Sequence, residues 1–404
     1  MKVSTYKVNI SPKTPTYIGG HAMRKGKMKG IHDEIEAIIL WLEIEGERCL
    51  FVNADLSSFD YDFIHEIKRK IINKISVKYD NIVISATHTH SGPIINTRME
   101  DQPHDESYRE YVMSQIVEGA LKSYDQVKAF HRLICRIGKS VGFYGNRNSK
   151  EKYGDQNIYV LEFKDEQDTT IAAMVNLSCH ATVLSPEEYL LSGDLLAALR
   201  RKLTPLLGVE PLMSNGNAGD ISNRLYRQGN DFNELERVTQ GIVDQISTFE
   251  NPVEIELSKI RVNDFTFSVR HKMKIEEMRK KLVESEEKLQ VAKSYDDRKW
   301  LISEIAAFKR KMKMEEVKLD FETSIIRIGE LELVVLPCEL VSAFGKQIKK
   351  SSNAKVCIVW GYANGQTGYV VEASEFDHGH DGISTMLPKG KAEEYVGKII
   401  QHLF

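Results

Sequence analysis

Eight short, mostly apolar runs punctuate the chain, at residues 37–42, 49–54, 81–86, 157–163, 170–177, 323–328, 331–336 and 356–360, each bounded by polar residues or glycine. Side chains alternate across a strand, so a run apolar at successive positions suits a strand buried on both faces. Between the runs lie amphipathic stretches at residues 62–75, 106–124 and 233–246. Strands that need cover on both sides and helices with one apolar face complete one another. The pattern predicts an α/β fold of central mixed β-sheets flanked by helices. A chain of 404 residues can bury a large core, and length alone allows one large domain or two or three smaller ones.

Residues 269–319 depart from this pattern, being densely charged and free of glycine and proline. Met278, Leu282 and Leu289, then Leu301, Ile305, Phe308 and Met312, recur at steps of three, four or seven, the spacing of a coiled-coil seam. Ser294 ahead of Asp296 and Asp297 is a helix-capping pattern that divides the stretch into two antiparallel arms. The segment reads as an inserted helical hairpin. Either it projects as a lid or a dimerisation element, making a homo-oligomer, or both arms lie on the core.

Composition enters for what it excludes. A net charge of -3 and a pI near 6.5 give no basic excess, so nucleic acid is not an expected partner. Cys49, Cys135, Cys179, Cys338 and Cys357 are odd in number and mostly inside apolar runs, as reduced core residues are. The amino terminus lacks the apolar stretch of a secretory signal and no run reaches membrane-spanning length, so a cytoplasmic location is expected.

Polar chemistry collects where the apolar runs end. Run 81–86 passes into Thr87-His88-Thr89-His90-Ser91-Gly92-Pro93. Residues two apart share one face of a strand, so both imidazoles could converge on a metal ion; the alternative makes them polar loop residues. Run 170–177 passes into Ser178-Cys179-His180, and Ser192-Gly193-Asp194 opens a helix. Run 331–336 leads to Pro337-Cys338-Glu339, read as a carboxylate at the start of a helix. Loop 214–224 holds Asn215, Asn217 and Asp220 among glycines, a composition that lets backbone approach a ligand. Singly, each has an ordinary explanation as a satisfied core histidine, a carboxylate favoured by a helix dipole, or a plain turn. Jointly, His88, His180 and Glu339 form a common ligand set of catalytic zinc.

These pieces resemble the catalytic domain of the neutral, non-lysosomal ceramidases, zinc amidases that split an N-acyl bond in sphingolipids. The matching blocks are Gly30-Ile31-His32-Asp33, Asn53-Ala54-Asp55, residues 87–93, Asn146-Arg147-Asn148-Ser149, His180 with Ser192-Gly193-Asp194, Gly219-Asp220-Ile221-Ser222, Pro337-Cys338-Glu339, Gly368-Tyr369-Val370 and Gly382-Ile383-Ser384-Thr385. They occur in the family's order over nearly the whole chain, which implies one catalytic domain over 1–404 with the hairpin inserted at 269–319. The resemblance implies zinc held by His88, His180, Glu339 and Tyr369, with His90 as general acid or base and Arg147 holding the substrate or its oxyanion. It gives Ser222 a nucleophilic role, with a zinc-activated water as the alternative attacker. Asn215, Asn217 and Asp220 are candidate substrate contacts, and Asp55 or Asp194 could orient a ligand histidine. Two departures stand out: Ser222 is followed by Asn223-Arg224, and His380 replaces a family tyrosine that binds the transition-state oxygen. His378 and His380 could even hold a second metal. By the same resemblance, the carboxyl-terminal β-sandwich domain of longer members is not expected within residues 1–404. A zinc-dependent hydrolase of a small-molecule or lipid N-acyl substrate is the expectation. A zinc deacetylase or esterase, or a non-catalytic assembly protein using the hairpin, are the alternatives.

Overall fold

All eight apolar runs are strands in the computed structural model, which describes residues 1–96 and 103–404. Strands β1 (Lys2–Asn9), β2 (Glu36–Ile44), β3 (Glu47–Ala54) and β4 (Ile82–Ala86) form a first sheet in the order β4-β3-β2-β1, with the short strand Lys128–Ala129 beyond β1. Only β4 joins its neighbour in parallel; the β1–β2 and β2–β3 pairs are antiparallel. Alternation along β2 decides the packing. Ala37, Ile39 and Trp41 face the helices α1 (Tyr61–Ile72) and α2 (Glu106–Tyr124), whereas Ile38, Leu40 and Leu42 face the centre of the molecule.

A second sheet contains β5 (Arg132–Lys139), β6 (Asn157–Lys164), β7 (Thr170–Leu177), β8 (Leu212–Asn215) and β9 (Val253–Ile255), in the order β8-β7-β6-β5-β9. Its outer face is covered by α3 (Asp194–Leu207) and α4 (Phe232–Ser247). The third contains β10 (Ile260–Lys272), β11 (Glu316–Ile328), β12 (Leu331–Val335) and β13 (Val356–Trp360), in that order. Between β10 and β11 run α5 (Ile275–Val291) and α6 (Tyr295–Met312), and after β12 come α7 (Ser342–Ser351), α8 (Gly379–Ser384) and α9 (Lys391–His402). The inner faces meet in one apolar cluster: Leu40, Phe51 and Val83 from the first sheet, Leu161 and Met174 from the second, Leu333 and Trp360 from the third. Phe51 and Trp360 stack at 5.7 Å across the first and third sheets.

Three features differ from the sequence reading. Strands β1, β5 and β10 had no apolar run to mark them, because they alternate buried with exposed positions. The ends of the charged segment are not helical: residues 269–272 and 316–319 extend β10 and β11 into a long antiparallel ribbon, with Val269 opposite Leu319. Period-two burial of Phe267, Val269, Val317 and Phe321 was masked there by charges at the intervening positions. Ser294 does cap α6, its hydroxyl accepting the Asp297 N–H at 3.0 Å. Finally, Glu339 does not open a helix. It lies in a two-residue strand, Glu339–Leu340, paired in parallel with Tyr369–Val370, and α7 starts at Ser342. Among the described residues, no helix is long and apolar enough to cross a membrane.

Candidate metal centre

Each sheet delivers one candidate ligand just beyond the carboxyl end of a strand: His88 after β4, His180 after β7 and Glu339 after β12. Strand carboxyl ends are where α/β folds leave room for a ligand. The ligand atoms of the three residues all lie within 4.8 Å of one another. Glu339 Oε2 is 3.4 Å from His88 Nε2 and 3.1 Å from His180 Nε2. All three side chains are buried.

The turn that places His88 is not a strand. β4 ends at Ala86, and His88 has φ of +65°, a left-handed conformation that costs a non-glycine residue about 1–2 kcal/mol. Backbone bonds from Thr87 N to Ala54 O and from His88 N to Leu56 O, both 2.9 Å, hold it there. Strand alternation therefore does not explain why His88 and His90 meet; a tight turn does.

Backbone carbonyls, not carboxylates, fix both ligand imidazoles. His88 Nδ1 donates to Ser57 O at 2.8 Å and His180 Nδ1 to Ala218 O at 2.7 Å. With Nδ1 donating, each neutral ring presents its Nε2 lone pair to the centre. Asp55 is instead engaged by Arg200, and Asp194 accepts the N–H groups of Val183, Leu184 and Leu195. Burial and the Arg147 guanidinium push His180 down to about 4. Burial acts to raise the Glu339 carboxyl, but the facing histidines outweigh it and hold it well below the usual range. Lone pairs and a carboxylate oxygen thus crowd one buried point, an arrangement that a divalent cation relieves. The donor set fits zinc.

Tyr369 joins this centre. Its hydroxyl is 3.3 Å from His180 Nε2 and accepts from Arg147 Nη2 at 3.1 Å. Burial raises its pKa strongly, against the opposing pull of Arg147. Arg147 is itself held by Asp381, with Nε donating to Oδ1 at 2.9 Å. His90 stands beside the three ligands, its Nε2 3.2 Å from that of His88, and burial together with His88 lowers its pKa well below the usual value. A cavity of about 780 Å³ opens over the centre, with His88, His90, Glu339 and Tyr369 on one side and Ile305, Ala306 and Arg310 of α6 on the other. One helix of the hairpin therefore covers the site.

The remaining candidates divide. Ser222 and His380 line the space beside the centre, and Ser222 Oγ accepts the Arg224 N–H at 3.2 Å. Among the described residues no imidazole or carboxylate lies within hydrogen-bond distance of Ser222 Oγ. His380 packs edge-on to Tyr369 at 5.7 Å and to Trp300 at 5.2 Å. His378 is exposed, and no metal-like group among the described residues includes it or His380. Asn215, Asn217 and Asp220 line neither this cavity nor its side cleft. Asn215 bonds to Cys179 and to Thr87 O, and Asp220 accepts from Asn146 and Ser342. Asn217 packs against Gly345. They build the frame behind the ligands.

Two contacts had escaped the sequence reading. Gln366 Nε2 donates to Glu339 Oε1 at 2.9 Å, leaving Oε2 for the centre, and Tyr362 stacks on His88 at 4.3 Å. The loop Gly361–Gly368, rich in glycine just before Tyr369, was the available signal.

No family model matches the chain. It is 24% identical to neutral ceramidase A of Dictyostelium discoideum over 220 residues, 45% of this chain and 29% of that one. It is 33% identical to the neutral ceramidase of Drosophila melanogaster over 103 residues, 22% of this chain and 14% of that one. The matched segments thus span less than a third of these relatives. The crystal structure of neutral ceramidase from Pseudomonas aeruginosa superposes with a TM-score of 0.77 at 18% identity, covering 99% of this chain and 73% of that one. The chain is therefore a relative of the neutral ceramidases and has their fold.

Proposed function

We propose that the chain hydrolyses a linear amide bond in an N-acyl compound, with zinc held by His88, His180, Glu339 and Tyr369. The observation that carries this is the convergence of three buried acceptor groups, one from each sheet, against an open cavity. A metal that only stiffened the fold would not need a cavity of about 780 Å³ beside it. The ceramidase likeness directs the reading toward an N-acyl bond.

Bound there, zinc supplies Lewis acidity to the amide carbonyl and to water. Arg147, anchored on Asp381 and touching Tyr369, presents fixed positive charge to the oxygen that becomes negative. His90 is neutral and lies beside the ligands, so it accepts a proton from the attacking group and returns it to the leaving amine. Among the described residues Ser222 has no base in reach, so water is the attacker in this scheme. The test is metal analysis coupled to a panel of N-acyl lipids, N-acetyl sugars and esters. About one zinc per chain and loss of amidase activity on chelation are expected. Full amidase activity in metal-free protein would overturn the reading.

A further inference from the structure

Beside the metal centre lies a narrow cleft of about 100 Å³, bordered by Arg147, Arg224, Arg227 and Lys299, by the single carboxylate Asp296 among the described residues, and by Ser222 and Trp300. Two of its cations already have carboxylate partners, Arg147 with Asp381 and Arg227 with Asp296. The other two do not. The Arg224 guanidinium lies 4.2 Å from the Trp300 ring centroid, and its Nη1 reaches Arg147 O at 3.5 Å. Among the described residues, neither Arg224 nor Lys299 has a carboxylate within ion-pair distance. Burial and the neighbouring Arg227 push Lys299 down to about 8, against the opposing pull of Asp296. Grouping like charges in a part-buried cleft is unfavourable unless an anion repays it.

The larger cavity repeats the sign. Arg24, Lys25, Lys309, Arg310, Lys311 and Lys313 border it, Lys309 being paired with Glu286 at 2.9 Å, and among its described lining residues Glu339 is the one carboxylate. Arg310 Nε is buried there with no hydrogen-bond partner among the described residues. The cleft abuts the centre, since Trp300 contacts both His380, at 5.2 Å, and the Arg147 guanidinium, at 5.8 Å. A neutral N-acyl lipid would bring no counter-charge to Arg224 and Lys299.

We infer that Arg224 and Lys299 form an anion subsite, so that the N-acyl substrate carries a carboxylate or phosphate close to the scissile amide. This rests on the amidase reading above. Lys299 and Trp300 come from the hairpin and Arg224 from the loop after Ser222. Specificity is thereby built from the hairpin together with the loop after Ser222.

The experiment compares N-hexanoylglycine and N-hexanoylphosphoethanolamine with uncharged N-hexanoylethanolamine. Binding to metal-free protein is read by calorimetry, and kcat/KM by assay of zinc-loaded protein. Charge-assisted contacts predict a preference of about 30-fold or more for an anionic compound, falling at least tenfold in an Arg224→Gln/Lys299→Gln variant. Lys299→Gln alone, which alters one part-buried position on α6, serves if the double variant is unstable, with a smaller fall expected. The two anionic compounds distinguish carboxylate from phosphate. Equal binding of charged and neutral compounds, or a preference that survives both substitutions, overturns the subsite. Anion-selective binding with no hydrolysis of any compound overturns the amidase reading instead and leaves the subsite in place.

Discussion

His88 and His90 are two residues apart, yet their surroundings differ. His88 is tied by Nδ1 to a carbonyl and faces Glu339, whereas His90 has no carboxylate partner among the described residues and packs against Gly20. His88→Ala is accordingly expected to abolish zinc binding, measured by metal analysis, while His90→Ala retains zinc and lowers kcat by 10²–10⁴. Gly20 supplies an independent check. Its φ is +89°, and a Cβ there would lie 2.5 Å from His90 Cγ. Gly20→Ala should lower kcat in the direction of His90→Ala without emptying the site; unchanged turnover would mean that His90 need not be held where it is. At this scale the sequence was legible for His88, His180 and Glu339, because each follows the end of an apolar run. Tyr369 was visible only through family resemblance, since a tyrosine in a strand is ordinarily packing. The carbonyls of Ser57 and Ala218 that orient the histidines left no trace, because every residue has one.

Elements were legible where burial was two-sided. Apolar runs announced themselves, whereas the ends of β10 and β11 at residues 269–272 and 316–319 hid their period of two among charges and passed for helix. The same mixture of charge and burial appears in α1, where Lys68 falls on the face that carries Ile64, Ile67 and Ile71. Its ammonium lies 5.0 Å from the centroid of the Tyr79 ring, and burial pushes its pKa down to about 8 despite Glu322, Asp80 and Asp264 nearby. The unfolded chain holds this proton up to about 10.5, so between pH 8 and 10.5 it binds more protons than the native state. Stability contributed by this group therefore rises with pH across that window and is at its lowest below pH 8. Lys68→Met is expected to stabilise the protein at pH 7 by up to about 3 kcal/mol, with the gain over wild type shrinking toward pH 10. Urea midpoints of both proteins across this range would show it; destabilisation at pH 7 would mean that the acidic neighbours outweigh the burial.

The centre exists only if three sheets keep their relative positions, and that is a property of the whole molecule. Apolar contact among their inner faces provides cohesion but little direction. Direction between the first and second sheets comes from Arg200 of α3, which is fully buried and grips fully buried Asp55 with two bonds, Nη1 to Oδ1 at 3.0 Å and Nη2 to Oδ2 at 2.6 Å. The same guanidinium reaches Glu36 at 2.9 Å and Glu210 at 3.2 Å. None of these partnerships could be read from sequence, where Asp55 resembled a ligand-orienting carboxylate; its partner is 145 positions away. Removing one member of a buried pair strands the other's charge, so Arg200→Met should cost about 3–5 kcal/mol. Adding Asp55→Asn removes that stranded charge and should recover part of the loss, a non-additivity that separates electrostatic locking from simple packing. The measurement belongs on metal-free protein, because bound zinc would add its own stabilisation and mask the effect. A single variant that unfolds at the wild-type urea midpoint would show that apolar packing alone aligns the sheets that carry His88 and His180.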